Sequence, residues 1–150
     1  MSCCRMALLF HLPENEDQMT AVFQDLEDNR NVKNGTCITD ERDLNALLQS
    51  LRHRAPFSFW LTGDAGFTLT IGWSSSMGFV QYARSDGRPP YWVAIADRDV
   101  DPEEHVNFLC GGTQTPISKR FCMPVERVME IVRHFLQNGE RSPDVEWEQI

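Results

Sequence analysis

The amino-acid sequence predicts an α+β fold, in which two or three helices pack on a largely antiparallel β-sheet built as a meander. Three observations predict it. β-prone segments follow one another closely in the middle of the chain, short turn sequences join them, and segments with helical apolar spacing flank them. Closely spaced strands favour antiparallel pairing, because a parallel pair needs a long crossover. The length of 150 residues is typical of one domain, so residues 1–150 are predicted to form a single unit.

The N-terminal third is predicted to contain a short strand and two helices. The apolar run Met6–Leu12 is typical of a strand. The segment Glu14–Asn29 is predicted to be helical, because its apolar residues follow i, i+3, i+4, i+7 spacing. These residues are Met19, Val22, Phe23 and Leu26. A second helix is predicted to begin after Thr39 or Asp40, either of which can cap it, and to end near Arg54. Its apolar stripe is Leu44, Leu47, Leu48 and Leu51.

The middle of the chain changes to the period of a strand. Phe57–Thr62 is aromatic and β-prone, and Phe67–Trp73 alternates apolar and polar residues. The tight connection Gly63–Gly66 between them predicts a β-hairpin. Met77–Arg84 and Tyr91–Ala96 are predicted to be the third and fourth strands of the meander.

The C-terminal third is predicted to hold two short strands, a helix and a terminal strand. The short strands are Val106–Cys110 and Lys119–Met123. Pro124 suits the first position of the last helix, and Gly139 suits a left-handed stop at its end. The apolar stripe of this helix is Val125, Val128, Met129, Val132, Phe135 and Leu136. Val145–Trp147 can then add a terminal strand.

Composition and charge limit the kind of partner. The chain is 41% hydrophobic and 24% charged, as in ordinary globular proteins. The 22 acidic residues outnumber the 14 basic ones, which gives a formal net charge of −8. Direct binding to a nucleic acid or to an anionic membrane is therefore not expected, whereas a basic protein is a favoured partner.

The apolar runs and the cysteines predict a cytoplasmic location. No stretch reaches the roughly 18 apolar residues of a membrane span. The run Met6–Leu12 is short for a signal peptide, contains His11 and leads directly into acidic residues. Five cysteines, an odd number with irregular spacing, favour reduced thiols. They are Cys3, Cys4, Cys37, Cys110 and Cys122.

Motifs for catalysis, metals and cofactors are weak. Cys110, Cys122 and His105 lack the paired spacing of structural zinc sites, so no metal is predicted. Gly111-Gly112-Thr113 lacks the Gly-Lys-Ser/Thr ending of a phosphate-binding loop, which favours simple turn chemistry and no cofactor. A small hydrolase that uses Cys110 or Cys122 with a histidine stays open as an alternative, because such partners meet in space and not in sequence.

The loop predicted after the fourth strand carries a dense group of carboxylates. They are Asp97, Asp99, Asp101, Glu103 and Glu104. Their spacing is not that of an EF-hand calcium loop. Two interpretations remain: a solvated acidic loop, and a binding edge for a basic partner with Tyr91 or Trp92 nearby as an aromatic anchor.

Several motifs in the C-terminal two thirds resemble those of the Imm1 family of bacterial immunity proteins. The most specific are the run Met123-Pro-Val-Glu-Arg-Val128, the turn Phe135-Leu136-x-x-Gly139-x-Arg141-x-Pro143, and the ending Val145-Glu-Trp147-Glu148. Gly111-Gly112-x-x-x-Pro116 and the hairpin Leu61–Gly72 are also similar to that family. The resemblance covers roughly residues 57 to 149.

The resemblance implies a small cytoplasmic antitoxin and not an enzyme. Such proteins act in polymorphic toxin systems of interbacterial competition, where each binds its cognate toxin domain, here expected as a 1:1 heterodimer, and blocks it sterically. It implies that the partner is a nucleic-acid (cytosine) deaminase and that any zinc belongs to the toxin. The acidic loop, with Tyr91 or Trp92, is the expected toxin-binding region. The Cys-dependent hydrolase and a protein-binding adaptor module remain the alternatives.

Overall fold

A computed structural model describes residues 20–54 and 56–150 of the chain. In this part of the chain, ten strands and two helices form the predicted α+β fold. The first five strands are β1 (Ala21–Asp25), β2 (Cys37–Ile38), β3 (Phe57–Gly63), β4 (Phe67–Trp73) and β5 (Met77–Arg84). The other five are β6 (Tyr91–Ile95), β7 (His105–Cys110), β8 (Thr113–Ser118), β9 (Met123–Pro124) and β10 (Glu146–Gln149). The helices are α1 (Glu41–Gln49) and α2 (Val125–Asn138).

The main sheet is a meander that is extended on both sides. Its strand order is β10-β6-β5-β4-β3-β1-β2, with β9 paired to β5, and every strand pair among the described residues is antiparallel. Phe59 of β3 lies opposite Ile71 of β4, which in turn lies opposite Val80 of β5. Because side chains alternate along a strand, this register places all three on one face of the sheet.

The helices cover that face, and the main core lies beneath them. Phe59, Ile71 and Val80 are completely buried there. The ring of Tyr82 on β5 packs edge-on against Phe135 of α2, with 6.3 Å between the ring centroids. The buried stripe of α2 is Val128, Met129, Ile131, Val132, Phe135 and Leu136. Most of the apolar residues whose spacing predicts this helix are therefore the ones that pack against the sheet.

The ends of the helices follow local sequence. Asp40 Oδ1 accepts a hydrogen bond from the Asp43 amide at 2.9 Å, which caps α1 as predicted. This helix ends at Gln49, and turns continue the chain to Arg54. Gly139 ends α2 in the left-handed conformation, with a φ of 70°. Neither helix of the described chain is long and apolar enough to cross a membrane.

The opposite face of the sheet is covered in part by the β7–β8 hairpin. Phe108 of β7 packs edge-on against Phe79 of β5, with 5.1 Å between centroids. Together with Cys122 they form a second, smaller buried cluster. The Leu109 amide donates to the Pro56 carbonyl at 2.8 Å. The hairpin therefore lies over the end of the sheet where β3 begins.

The predicted helix over Glu14–Asn29 is wrong where the structure describes it, because Ala21–Asp25 is strand β1. Phe23 lies opposite Leu61 of β3, and burial alternates along β1 with a period of two. A stretch of five residues is too short to distinguish the helical period of about 3.6 residues from the strand period of two. Pairing with β3 makes this segment a strand. The first part of that predicted helix, and the predicted strand Met6–Leu12, lie outside the described residues.

The predicted strand Lys119–Met123 is also misplaced. The return strand of the hairpin is Thr113–Ser118, and Lys119–Phe121 forms a 3₁₀ turn instead. Gly111 and Gly112 have φ values of 64° and 81°, which suits a two-residue hairpin turn. Because the turn is that tight, the second strand begins directly after it at Thr113, six residues before the predicted start at Lys119.

Candidate functional site

The acidic loop between β6 and β7 is solvent-exposed at every one of its five carboxylates. Two of them shape the loop: Asp97 Oδ1 accepts from the Asp99 amide and Asp101 Oδ1 accepts from the Glu103 amide, both at 2.9 Å. Glu104 forms an exposed ion pair with Lys119 at 3.4 Å. The side chains of Asp99 and Glu103 make no hydrogen bond or ion pair with the described residues. They are the carboxylates most available to a partner.

The two aromatic residues predicted beside this loop lie at the other end of β6. Six residues of nearly extended chain separate Tyr91 from Asp97, a distance of about 20 Å. Tyr91 and Trp92 point to opposite faces of the sheet, and both are half-buried. The Tyr91 hydroxyl donates to the Gly87 carbonyl at 2.6 Å. The structure therefore does not bring these aromatic residues and the acidic loop into one compact cluster.

Trp92 forms part of an open cleft of about 620 Å³. The guanidinium of Arg141 stacks over the Trp92 ring, 4.0 Å from its centroid. Phe67, Tyr82 and Trp147 supply further aromatic walls. Much of this cleft comes from the C-terminal residues that carry the motifs described above.

Hydrogen bonds show what those C-terminal residues do in the fold. Tyr82 Oη donates to the Gly139 carbonyl at 3.2 Å, which joins the sheet to the end of α2. Trp147 Nε1 donates to the Ser142 carbonyl at 2.9 Å and closes the turn before β10. These contacts hold the last helix and last strand to the sheet, so the motif residues have a structural role.

A second surface, around Trp60, was not singled out from the sequence. Trp60 is 43% exposed in the middle of β3, on the face that the helices do not cover. It lies in an open groove of about 470 Å³. The groove is lined by Val22, Gln24, Asp25, Leu26, Asn29, Trp60, Thr62 and Asp64. The signal was present in the alternation of β3, which puts Phe57, Phe59 and Leu61 on one face and Ser58, Trp60 and Thr62 on the other.

A buried ion pair stands at the edge of this groove. Asp25 is 1% exposed, and its carboxylate is paired with the guanidinium of Arg54. It also accepts from Asn31 Nδ2 and from the Glu27 amide, each at 2.9 Å. Burial alone would raise the pKa of Asp25, but the hydrogen bonds from Arg54, Asn31 and the Glu27 amide, with the charge of Arg54, hold this pKa below its ordinary value. Because Asp25 lies opposite Phe59, its ionised and neutralised carboxylate is on the helix-covered side of the sheet, behind the groove.

Glu27 fixes the tip of the β7–β8 hairpin. Its carboxylate accepts from the Gly111 amide at 3.0 Å and from the Gly112 amide at 2.7 Å. It also accepts from the Ser58 hydroxyl at 3.1 Å. Because these contacts join the end of β1 to the hairpin tip, they help to set where the hairpin stops and the open face begins.

Cys122 makes a poor candidate for a nucleophile. Burial raises the pKa of Cys122 to about 11, so it is a thiol at neutral pH. Its Sγ lies 3.5 Å from the Ser118 carbonyl. Cys110 is a half-buried free thiol, whereas Cys37 is disulfide-bonded, so the expectation that all five cysteines are reduced is wrong at Cys37. Residues 20–54 and 56–150 contain no group of three potential metal ligands.

The comparison with known proteins gives one family. The family model described as immunity protein Imm1 matches residues 33–149, which is most of the chain. The match includes α1 and reaches further towards the N-terminus than the motifs noted in the sequence. No curated protein matches the chain significantly.

Proposed function

Because this chain belongs to the Imm1 family of immunity proteins, we propose that it inhibits a cognate nucleic-acid deaminase toxin by binding it one-to-one and covering its substrate cleft. It would act in the cytoplasm of the cell that makes the toxin, where the nucleic acid to be protected lies. The family match over residues 33–149 is the observation that carries this proposal. Inhibition of this kind needs shape and charge complementarity and no chemistry on the part of the inhibitor.

The charge of the chain supports a partner that acts on nucleic acid. An enzyme of that kind holds phosphates in a basic groove. A chain with a formal net charge of −8 offers carboxylates that can occupy such a groove in place of phosphates. Opposite charge also speeds the encounter of two proteins, which suits an antitoxin that must act before its toxin finds a substrate.

The acidic loop is the proposed charged contact with the toxin. Its carboxylates are all exposed, and those of Asp99 and Glu103 have no partner among the described residues. Tyr91 or Trp92 is the proposed aromatic contact, since the two half-buried rings point to opposite faces of the sheet. A standard interface buries about 800 Å² on each partner, a patch roughly 30 Å across, so one toxin can contact both ends of β6.

The first test is co-purification with the toxin encoded beside this protein, followed by deaminase and nuclease assays with and without the chain. A tight 1:1 complex and loss of cytosine deamination are expected. A complex that blocks a nuclease instead would keep the immunity role and contradict the deaminase. If the two proteins do not bind, the proposal is wrong.

Charge reversal tests the acidic loop. In the variant Asp99→Lys/Glu103→Lys, the association rate at low salt should fall at least about tenfold, and less at high salt, because steering depends on charge. The matched control is Glu126→Lys/Glu130→Lys on the exposed side of α2, which changes the net charge equally. If both double variants associate at the same rate, the loop does not contribute a local contact.

A further inference from the structure

The groove around Trp60 has the features of a binding surface. A large aromatic side chain is 43% exposed there, in the interior of a strand of the main sheet. The indole N–H of Trp60 donates no hydrogen bond to the described residues. The β7–β8 hairpin turns at Gly111 and Gly112, whose amides donate to Glu27, and it leaves this ring exposed. The ring therefore adds little to either buried cluster, and it is available to a partner.

The charges around the groove select the chemistry of that partner. Among the residues that line the groove there are two carboxylates and no lysine or arginine. The Asp25 carboxylate is paired with Arg54 and lies on the face of Phe59, opposite to Trp60, so it adds no free charge to the groove. The Asp64 carboxylate forms no ion pair with the described residues and accepts one hydrogen bond, from the Thr20 hydroxyl at 2.8 Å. Within residues 20–54 and 56–150, the groove thus combines an exposed indole with one carboxylate that has no cationic partner.

We infer that the Trp60 groove is a docking site for a basic side chain of the toxin, an arginine or lysine that stacks on the indole and reaches the Asp64 carboxylate. A cation over a tryptophan face, with a carboxylate to accept its N–H groups, is a favourable arrangement. The inference rests on the proposed function, and it adds a contact surface separate from the acidic loop. β3 lies three strands away from β6, about 14 Å, so a single partner can bridge the two surfaces.

The test is the affinity of the full chain for its toxin, with Trp60→Ala compared with Gln137→Ala. Gln137 is an exposed residue of α2, on the other side of the sheet. Trp60→Ala should weaken binding about 30-fold or more, as expected for a central anchor, and Gln137→Ala should leave affinity within about twofold. Equal affinity of Trp60→Ala and the wild type would overturn the inference.

Two variants of opposite charge at one position test whether the docked side chain is basic. This test keeps the tryptophan in place. Thr62 lines the groove, and both Thr62→Lys and Thr62→Glu lose its contact with the Thr68 hydroxyl. If a basic side chain docks there, Thr62→Lys should bind at least about tenfold more weakly than Thr62→Glu. Equal affinities, or stronger binding by Thr62→Lys, would contradict a basic occupant.

Quenching by acrylamide separates failure of the groove from failure of the proposed function. In the complex, the part of the tryptophan fluorescence that Trp60→Phe removes should become protected from the quencher. If the wild type binds and inhibits the toxin while this signal stays fully quenchable, only the groove inference is wrong. If no complex forms with the wild type, the proposed function itself fails.

Discussion

Removal of the cation beside Asp25 should destabilise the fold strongly. In Arg54→Met, a carboxylate that is 1% exposed loses both guanidinium contacts and keeps only Asn31 and the Glu27 amide. Breaking a buried pair from one side costs about 3–5 kcal/mol. The side chain of Arg54 is 28% exposed, and two donors remain, so we expect the lower end, about 3 kcal/mol.

Urea unfolding followed by tryptophan fluorescence measures this loss. With a slope of about 2 kcal/mol per molar urea, the midpoint should fall by about 1.5 M. Arg54→Lys, which keeps a charge but not the forked geometry, is the control and should lose less. A midpoint for Arg54→Met within about 0.2 M of the wild type would refute the reasoning, since it would mean that the buried carboxylate does not need its cation.

The pH dependence of the same pair provides an independent check. Because the pKa of Asp25 in the folded protein is held below its ordinary value of 3.8, its ionised form contributes stability that is fully present above that pH. The contribution is lost as the pH falls through the folded pKa. Asp25→Asn should therefore be less stable than the wild type at neutral pH, and the gap should shrink below about pH 4. A gap that is constant down to about pH 3 would contradict the cause given for the shift.

Three further outcomes follow from the packing and the hairpin. Gly72→Ala would place a Cβ 2.1 Å from the ring of Phe79, so urea unfolding should show a loss of about 2 kcal/mol, and an unchanged midpoint would count against this contact. Glu27→Gln weakens the hold on the hairpin tip, so the tip amides should exchange with solvent about tenfold faster or more by NMR, unless the tip is held elsewhere. In the native protein Cys122 should react with a thiol reagent far more slowly than Cys110, whereas the two should react equally fast in urea. Equal rates in the native protein would contradict the burial and the raised pKa of Cys122.

The elements with strong local signals could be predicted from sequence. The hairpin Phe57–Trp73 and the last helix each combine a clear apolar periodicity with a glycine at the turn or helix end. Gly139, with a φ of 70°, is an example. Strand β1 could not, because its short apolar pattern fits both periods and its structure depends on the distant strand β3. The position of β8 depended on reading Gly111-Gly112 as a two-residue turn.

The candidate surfaces divide in the same way. The acidic loop is visible in the sequence because charge density is a local property. The Trp60 surface cannot be recognised in the sequence, because an aromatic residue in a strand is usually buried. The exposure of Trp60 depends on where another element ends. That element is the β7–β8 hairpin, whose tip is placed by Glu27, a residue more than eighty positions away in the sequence. A contact of that range is decided by the tertiary fold.

The alternation within β3 and β4 gives each strand two separate roles. Odd positions such as Phe59 and Ile71 hold the core, while even positions such as Trp60, Thr62 and Thr70 face away from the helices. Of the even positions, Ser58 and Gly72 are closely packed, whereas changes at Trp60, Thr62 and Thr70 leave the helix-facing core intact. An immunity protein built this way can exchange these outward side chains one at a time without repacking its core.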